Sequence, residues 1–279
     1  MTKEVMELKN IVENSDNIVF FGGAGVSTES GIPDFRSENG IYKAVSEYGY
    51  NPETILSHSF FVKNKEVFFK YYKNNLLYPE AKPNNAHYGL AKLEKEGKLK
   101  AVITQNIDNL HQKAGSKNIL ELHGTLYRNY CVKCKKEFDL EYVMKDKDSV
   151  TLCDKCGGVV RPDIVLYEES LNQQVLMKSV DYISNAEVLI VGGTSLSVYP
   201  ASGLVDYFCG KKLILINKSV TQYDKKADIV INENIGEVFA KICGFWVCFK
   251  KIKKILKKVL TNYIPFAKIN SALWTLKNK

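Results

Sequence analysis

The sequence predicts an α/β fold with a parallel, Rossmann-like sheet, and two observations support this prediction. Short apolar runs at 18–21, 101–104, 119–122, 188–192, 213–217 and 229–231 alternate with longer segments of helical periodicity. Runs of this length, rich in β-branched residues and flanked by Gly and Asn, are typical of strands buried on both faces of a parallel sheet. In addition, the first run leads directly into a glycine-rich turn at 22–25, which suits close approach of a ligand phosphate.

Polar residues follow most of the predicted strands directly. Residues 22–27 follow the first strand, 105–108 the second, His123 the third, 193–195 the fourth and Asn217 the fifth. Because a doubly wound sheet binds its ligand at the carboxyl ends of the strands, we expect these side chains to converge on one site.

Length and composition do not favour a membrane-spanning, a secreted or a disulfide-stabilised protein. The 279 residues suffice for one domain with a small inserted module, and 45% hydrophobic and 25% charged residues are ordinary for a globular protein. The sequence has neither an apolar run of about 18 residues nor a signal-peptide pattern at its N-terminus. Four of the seven cysteines form Cys-x-x-Cys pairs, which favour metal binding in a reducing compartment over disulfides. We therefore expect a cytoplasmic protein.

The net charge of +8 is concentrated in residues 244–279, which contain nine lysines and no acidic residue. The first 243 residues carry 30 basic and 31 acidic side chains, so we expect no sequence-specific nucleic acid binding by this body. Apolar residues in 244–279 recur at helical spacing opposite the lysines, which predicts a basic amphipathic tail. An anionic membrane surface or an acidic partner is one interpretation of it; a helix packed on the body or an extension without function are the others.

The cysteine pairs predict a structural zinc site. The first pair is Cys131 and Cys134, the second is Cys153 and Cys156, and 18 residues separate them. This spacing fits two knuckles that together place four thiolates around one Zn²⁺, with no position left for water. A zinc ribbon of a nucleic-acid-binding protein is the competing interpretation, although the mixed charge around the pairs does not favour a phosphate-binding face.

Five short motifs, in this order, resemble those of the sirtuins, the NAD-consuming protein-lysine deacylases. They are the stretch G-A-G-V-S-T-E-S-G-I-P-D-F-R at 23–36, T-Q-N-I-D-N-L-H at 104–111, L-H-G at 122–124, the two cysteine pairs, and G-G-T-S-L at 192–196. The resemblance covers about 1–243, which implies a catalytic domain of that extent with a helical insert at about 37–82 and a zinc module at about 126–160. Residues from 244 onward have no counterpart in the family.

The resemblance also implies roles for individual residues. His123 would be the catalytic general base, and Asn106 would be catalytic or would position a water. The implied NAD-binding residues are Gly23, Ala24, Gly25, Thr28, Asp34, Phe35, Arg36, Gln105, Ile107, Asp108, Gly193, Thr194, Ser195, Asn217 and Ile235.

A further segment, at 162–169, resembles the family pattern R-P-x-V-V-x-F-G-E, with Tyr167 in place of phenylalanine and Glu168 where glycine is usual. As a strand it would pair by its backbone with an extended substrate peptide, and 197–200 would form the other side. The implied substrate-binding residues are Val165, Leu166, Tyr167, Glu168 and Val198.

The implied activity is NAD-dependent protein-lysine deacetylation, in which the acyl group passes from lysine to ADP-ribose and nicotinamide is released. Family members that remove succinyl or malonyl groups use a Tyr-x-x-Arg pair, and no arginine lies between Arg36 and Arg128 here, so we expect acetylated-lysine proteins or peptides as partners. An ADP-ribosyl transferase or NAD glycohydrolase on the same scaffold is a second hypothesis. An NAD-sensing binding module with a zinc ribbon is a third, from a different class.

Overall fold

The computed structural model describes residues 1–34, 38–146 and 149–244 of the chain. The strands in this part of the chain are β1 (Ile18–Gly22), β2 (Leu99–Thr104), β3 (Ile119–Glu121), β4 (Gly124–Cys131), β5 (Glu137–Asp139), β6 (Val160–Ile164), β7 (Val188–Gly192), β8 (Lys212–Ile216) and β9 (Ile229–Ile231). The α-helices are α1 (Lys3–Glu13), α2 (Glu38–Tyr48), α3 (Pro52–Ile55), α4 (His58–Lys63), α5 (Lys65–Tyr71), α6 (Asn85–Lys95), α7 (Leu110–Ala114), α8 (Leu140–Met144), α9 (Gln173–Asn185) and α10 (Ile235–Ile242).

A six-stranded parallel sheet forms the larger part of the fold. Its strand order is β3-β2-β1-β7-β8-β9, so the chain moves outward from β1 in one direction and then from β7 in the other. The order reverses between β1 and β7, and such a switch point is where doubly wound sheets open a crevice for a ligand.

The strands of this sheet are apolar because both of its faces are covered. Phe20 and Ile190 point to the layer that contains α1, α6 and α10, whereas Phe21 and Val191 point to the opposite layer with α9. Successive side chains of a strand alternate between faces, so each strand contributes to both cores. This double burial explains why the strands appear in the sequence as continuous hydrophobic runs.

A smaller domain combines a group of helices with an antiparallel sheet. Helices α2 to α5 and the sheet β5-β4-β6 share one hydrophobic core. In it, Phe61 and Phe68 from the helices and Tyr72 from the helical turn after α5 meet Leu126 and Val160 from the strands. Polar caps define where the short helices begin: the Asn51 side chain accepts a hydrogen bond at the start of α3, and Ser57 does so at the start of α4. The helical insert and the cysteine-containing module are therefore packed as one unit.

The predicted α/β class and all six predicted parallel strands are confirmed, with shifts of one or two residues at their ends. The predicted strand 162–169 is wrong beyond Ile164, where β6 ends. Beyond that point the chain crosses to the helical insert: the Tyr167 amide donates to the Leu56 carbonyl and the Tyr167 carbonyl accepts from the His58 amide. These long-range bonds replace a regular ladder.

The predicted domain limits, 1–243 for the catalytic domain with modules at about 37–82 and 126–160, remain predictions. The predicted amphipathic tail at 244–279 lies outside the described residues except for Gly244. Within the described residues, no helix is both long enough and apolar enough to span a membrane.

Candidate active site

A cavity of about 250 Å³ opens between the carboxyl edge of the large sheet and the small domain. The loops after β1, β2 and β7 form one side of it, and the β6 segment with the helical insert forms the other. Its lining includes Gly23, Ala24, Ser27, Asp34, Gln105, Asn106, Ile107, Asp108, His123, Val165, Leu166, Tyr167, Glu168, Glu169, Gly193, Thr194, Ser195 and Val198.

Two glycine-rich loops meet backbone to backbone on the sheet side of the cavity. The Gly25 amide donates to the Gly193 carbonyl at 2.8 Å, and a Cβ on Gly25 would lie only 2.7 Å from the Gly193 Cα. Gly193 itself has a φ of 61°, which favours glycine. Larger side chains would therefore separate the two loops, and the amide-rich surface between β1 and β7 would be lost.

A polar network lies beneath this surface. The Ser27 hydroxyl donates to the Asp108 carboxylate at 2.6 Å and accepts from the Asn106 side-chain amide at 3.0 Å. The second carboxylate oxygen of Asp108 accepts from the Leu110 amide at 2.9 Å. Burial raises the pKa of Asp108, and the bonds from Ser27 and Leu110 partly offset that effect. The Ser27 hydroxyl has one proton, which it donates to the carboxylate, so it can only accept from Asn106. The nitrogen of the Asn106 side-chain amide must therefore face Ser27.

His123 occupies the turn between β3 and β4, and its tautomer follows from its surroundings. Its Nδ1 lies 3.0 Å from the Gln105 carbonyl oxygen. A carbonyl can only accept, so Nδ1 carries the proton and the neutral ring has its lone pair on Nε2. The next residue, Gly124, has a φ of 74°, and a Cβ there would lie 2.0 Å from the Asp163 carbonyl oxygen. The turn that carries the histidine therefore requires glycine at this position.

An ion pair anchors the opposite wall. Arg161, whose side chain is 5% exposed, contacts both oxygens of the Glu169 carboxylate at 2.6 and 3.0 Å. The same carboxylate accepts from the Leu166 amide at 2.9 Å and lies 2.8 Å from His58 Nδ1. Burial alone would raise the pKa of Glu169, but the bonds from Arg161, Leu166 and His58 lower it to about 2. The segment 165–169 is thereby tied to the small domain.

The four cysteines of the predicted zinc site converge at one end of the small domain. All four Sγ atoms lie within 4.8 Å of one another, and the Cys131–Cys156 and Cys134–Cys153 pairs are 3.5 and 3.7 Å apart. Tetrahedral Zn²⁺ with Zn–S bonds of about 2.3 Å requires sulfur atoms about 3.8 Å apart, so the cluster fits this metal. A Cβ on Gly158 would lie 2.8 Å from the Cys131 Sγ. This close approach explains why the second residue after Cys156 is glycine.

The predicted site residues fall into three groups. Both catalytic residues, the five substrate-binding residues and most of the predicted NAD-binding residues line the cavity. Four NAD-binding candidates lie outside this lining: Gly25 and Thr28 in the first loop, Asn217 after β8, and Ile235, which packs in the core below the sheet edge. Phe35 and Arg36 lie outside the described residues.

Sequence reasoning assigned no role to several residues that the structure brings to the cavity. Ser27 was a polar residue of the first loop without a predicted partner, and Glu169 was only the last residue of a predicted strand. The cavity is also lined by Leu56, Asn75, Leu76, Tyr78 and Leu126. Their position depends on packing between distant segments, for which the sequence contains no local signal.

Comparison with known proteins identifies the family of this chain. The sequence pattern of the Sir2 family matches residues 23–200. The chain belongs to the Sir2 family. An NAD-dependent protein deacetylase of Clostridium acetobutylicum is 60% identical over 239 residues, covering 86% of this chain and 98% of the relative. One from Clostridium tetani is 61% identical over 235 residues, covering 84% and 95%.

Solved Sir2 structures agree with this membership. A Sir2 variant with a deacetylated p53 peptide and 3′-O-acetyl ADP-ribose has a TM-score of 0.77 at 40% identity, covering 85% of this chain and 96% of that one. A Sir2 complex with a p53 peptide and NAD⁺ has a TM-score of 0.76 at 37% identity, covering 89% and 100%. The predicted family, fold class and activity, an NAD-dependent protein deacetylase, are confirmed.

Proposed function

We propose that this Sir2 deacetylase moves the acetyl group of an acetyl-lysine side chain onto the ADP-ribose part of NAD, with His123 as the general base. The observation that supports this most directly is the His123 ring. Its Nδ1 donates to the Gln105 carbonyl, which leaves the Nε2 lone pair as the group that can take up a proton. A histidine with a fixed tautomer is suited to remove a proton from a ribose hydroxyl near neutral pH.

The reaction begins when the acetyl carbonyl oxygen attacks C1′ of the nicotinamide ribose and nicotinamide leaves. Charge develops on the ribose in this step, so the surrounding dipoles must already be oriented. Asn106, held by Ser27, and Asp108, held by Ser27 and Leu110, are oriented polar groups of this kind. We assign Asn106 to the reacting centre or its water, and Asp108 to the cofactor.

The other polar groups of the sheet side would bind the rest of NAD. Gln105 Nε2 donates to the Thr194 hydroxyl at 3.1 Å, which links the loops after β2 and β7. With Ser195 and the amides near Gly23 and Gly193, these residues offer donors to ribose and phosphate oxygens. Bound Zn²⁺ would hold the cysteine module together and take no part in the chemistry.

The acyl group is proposed to be uncharged. The described residues that line the cavity include no Lys or Arg, so a succinyl carboxylate would be buried there without a cationic partner among them. A peptide would lie extended between the segment 165–168 and Val198, in contact mainly through its backbone.

The test is nicotinamide release by wild-type protein and by His123→Ala, each with and without an acetyl-lysine peptide. We expect release that depends on the peptide, and a loss of about 10²-fold or more in the variant because only the base is removed. Release of equal rate without peptide would instead support the glycohydrolase hypothesis. Turnover of the variant within tenfold of wild type would refute the role of His123.

A second partner is proposed from sequence alone for the tail 244–279, which lies almost entirely outside the described residues. Its nine lysines without an acid would attract an anionic lipid surface, at about 1 kcal/mol for each lysine near the surface. Sedimentation with anionic vesicles should be lost in a chain that ends at Cys243 and should weaken as salt rises. Equal sedimentation of both chains would refute this assignment.

A further inference from the structure

Glu168 adopts a backbone conformation that favours glycine. Its φ is 75°, and it follows Tyr167 directly in the segment that forms one wall of the cavity. Residues with a Cβ are uncommon in this region, since the Cβ crowds the following carbonyl. The related sequence pattern has glycine at this position. A glutamate at this position therefore raises the conformational free energy of the folded chain relative to glycine. This cost suggests that the glutamate side chain has a function.

The carboxylate is held in place rather than left to move freely. The Ser59 amide donates to Oε2 at 2.8 Å, and the Ser59 hydroxyl donates to Oε1 at 2.9 Å. These two bonds lower the pKa of Glu168, so the group is ionised at neutral pH. A carboxylate has about four lone-pair sites, and each oxygen can still accept from a further donor. The residue itself is exposed at the cavity.

The cavity around Glu168 is lined by acidic and not by basic side chains. The described lining residues include no Lys or Arg but four carboxylates, Asp34, Asp108, Glu168 and Glu169. Asp108 is bonded inside the Ser27 network, and Glu169 is paired with Arg161. Lys63, whose positive charge also lowers the pKa of Glu168, lies outside the lining. Of the two acids in the described segment 165–169, Glu168 is therefore the exposed one, whereas Glu169 is half-buried.

We propose that Glu168 is a specificity-determining residue that favours acetyl-lysine peptides with a lysine or arginine close to the acetyl-lysine. The inference rests on the proposed deacetylase function, because it assumes that the peptide lies along 165–168. Neighbouring residues of an extended peptide are about 3.3 Å apart along the strand. A long basic side chain one or two positions from the acetyl-lysine can therefore reach a carboxylate on this wall.

The experiment compares three acetyl-lysine peptides that differ only beside the acetyl-lysine, with lysines, glutamines or glutamates there. Wild type is compared with Glu168→Gln, in which the side-chain amide oxygen can still accept from Ser59. We expect the lysine-to-glutamine ratio of kcat/KM to fall about fivefold in the variant, mainly through KM, as for an exposed ion pair. The wild-type preference should also shrink as salt rises from about 0.01 M to about 1 M.

The control is Glu187→Gln. Glu187 is a half-exposed acid that pairs with Lys211 just before β7, at the end of the strand away from the cavity. This variant should keep the wild-type ratio. Equilibrium binding of fluorescently labelled forms of the three peptides gives the same comparison as Kd values, without turnover. A failure of catalysis is therefore distinguishable from a failure of this proposal. Equal peptide ratios in wild type and Glu168→Gln, or an equal loss on all three peptides, would overturn it.

Discussion

The ion pair between Arg161 and Glu169 allows a stability effect to be worked out from the structure. A pKa lowered from the ordinary 4.5 to about 2 corresponds to about 3.4 kcal/mol of unfolding free energy at neutral pH. The Glu169 side chain is 22% exposed, and solvent screening reduces that value to about 2 kcal/mol. In Glu169→Gln the buried Arg161 also loses its counter-charge, which typically brings the cost to about 3 kcal/mol or more.

For a domain of this size, 1 kcal/mol shifts Tm by about 2–4 °C, so Glu169→Gln should melt about 6–12 °C below wild type at pH 7. The sign of the pH dependence follows from the lowered pKa. The stabilisation is complete above about pH 4.5 and is lost as pH falls toward 2, so the difference between the two proteins should fall to less than half at about pH 3.

Thermal unfolding followed by circular dichroism at both pH values measures these differences. The double variant Arg161→Met/Glu169→Gln should recover part of the loss, because removal of both charges avoids an unpaired buried cation. A Tm for Glu169→Gln within about 2 °C of wild type at pH 7, or a difference that persists at pH 3, would refute the reasoning.

Three other expectations follow from the site. Ser27→Ala should lower kcat/KM for nicotinamide release by about 10- to 100-fold, because Asp108 loses a charge-assisted bond and Asn106 its anchor; a change within twofold would contradict this. Cys153→Ser, or strong chelation, should remove one zinc per chain and lower both Tm and activity, and metal loss with unchanged melting and activity would argue against a structural role. Acetyl-lysine peptide should be turned over far better than succinyl-lysine peptide of the same sequence, and comparable kcat/KM values would indicate an unidentified anion site.

The large sheet could be predicted from the sequence because its strands are buried on both faces. Double burial leaves continuous apolar runs, and most of those runs end at a Gly, Gln or Asn. The antiparallel sheet of the small domain gave no such signal. Its strand β4 carries Arg128, Asn129 and Cys131 among its apolar residues, and the ladder to β6 is irregular between Thr125 and Asn129. There, the cysteine spacing was informative where hydrophobic periodicity was not.

The placement of the candidate site residues could be predicted to the extent that they lie directly after a strand. His123, Asn106 and Asp108 lie at the carboxyl edge, and strand order brings them together. The interactions that orient them could not be predicted. Ser27 and Asp108 are 81 residues apart in sequence, and their bond exists only because β1 and β2 are neighbours. Arg161 and Glu169 are close in sequence, but their pairing depends on burial of Arg161 against Phe61.

The two walls of the cavity are held by different kinds of bonds. Substitutions in one wall should therefore affect catalysis differently from substitutions in the other. On the sheet side, the two glycine-rich loops are joined by backbone bonds: the Gly25 amide donates to the Gly193 carbonyl, and the Gly23 amide donates to the Gly192 carbonyl. Side-chain substitutions rarely remove such bonds, so the two loops should keep their position even where Ser27→Ala disturbs the polar side chains of this side. On the wall that is proposed to bind the peptide, the Glu169 and Glu168 carboxylates hold the segment through single side chains. Substitutions there can alter peptide recognition while the chemistry is kept, so substrate preference can change in this fold more readily than the reaction itself.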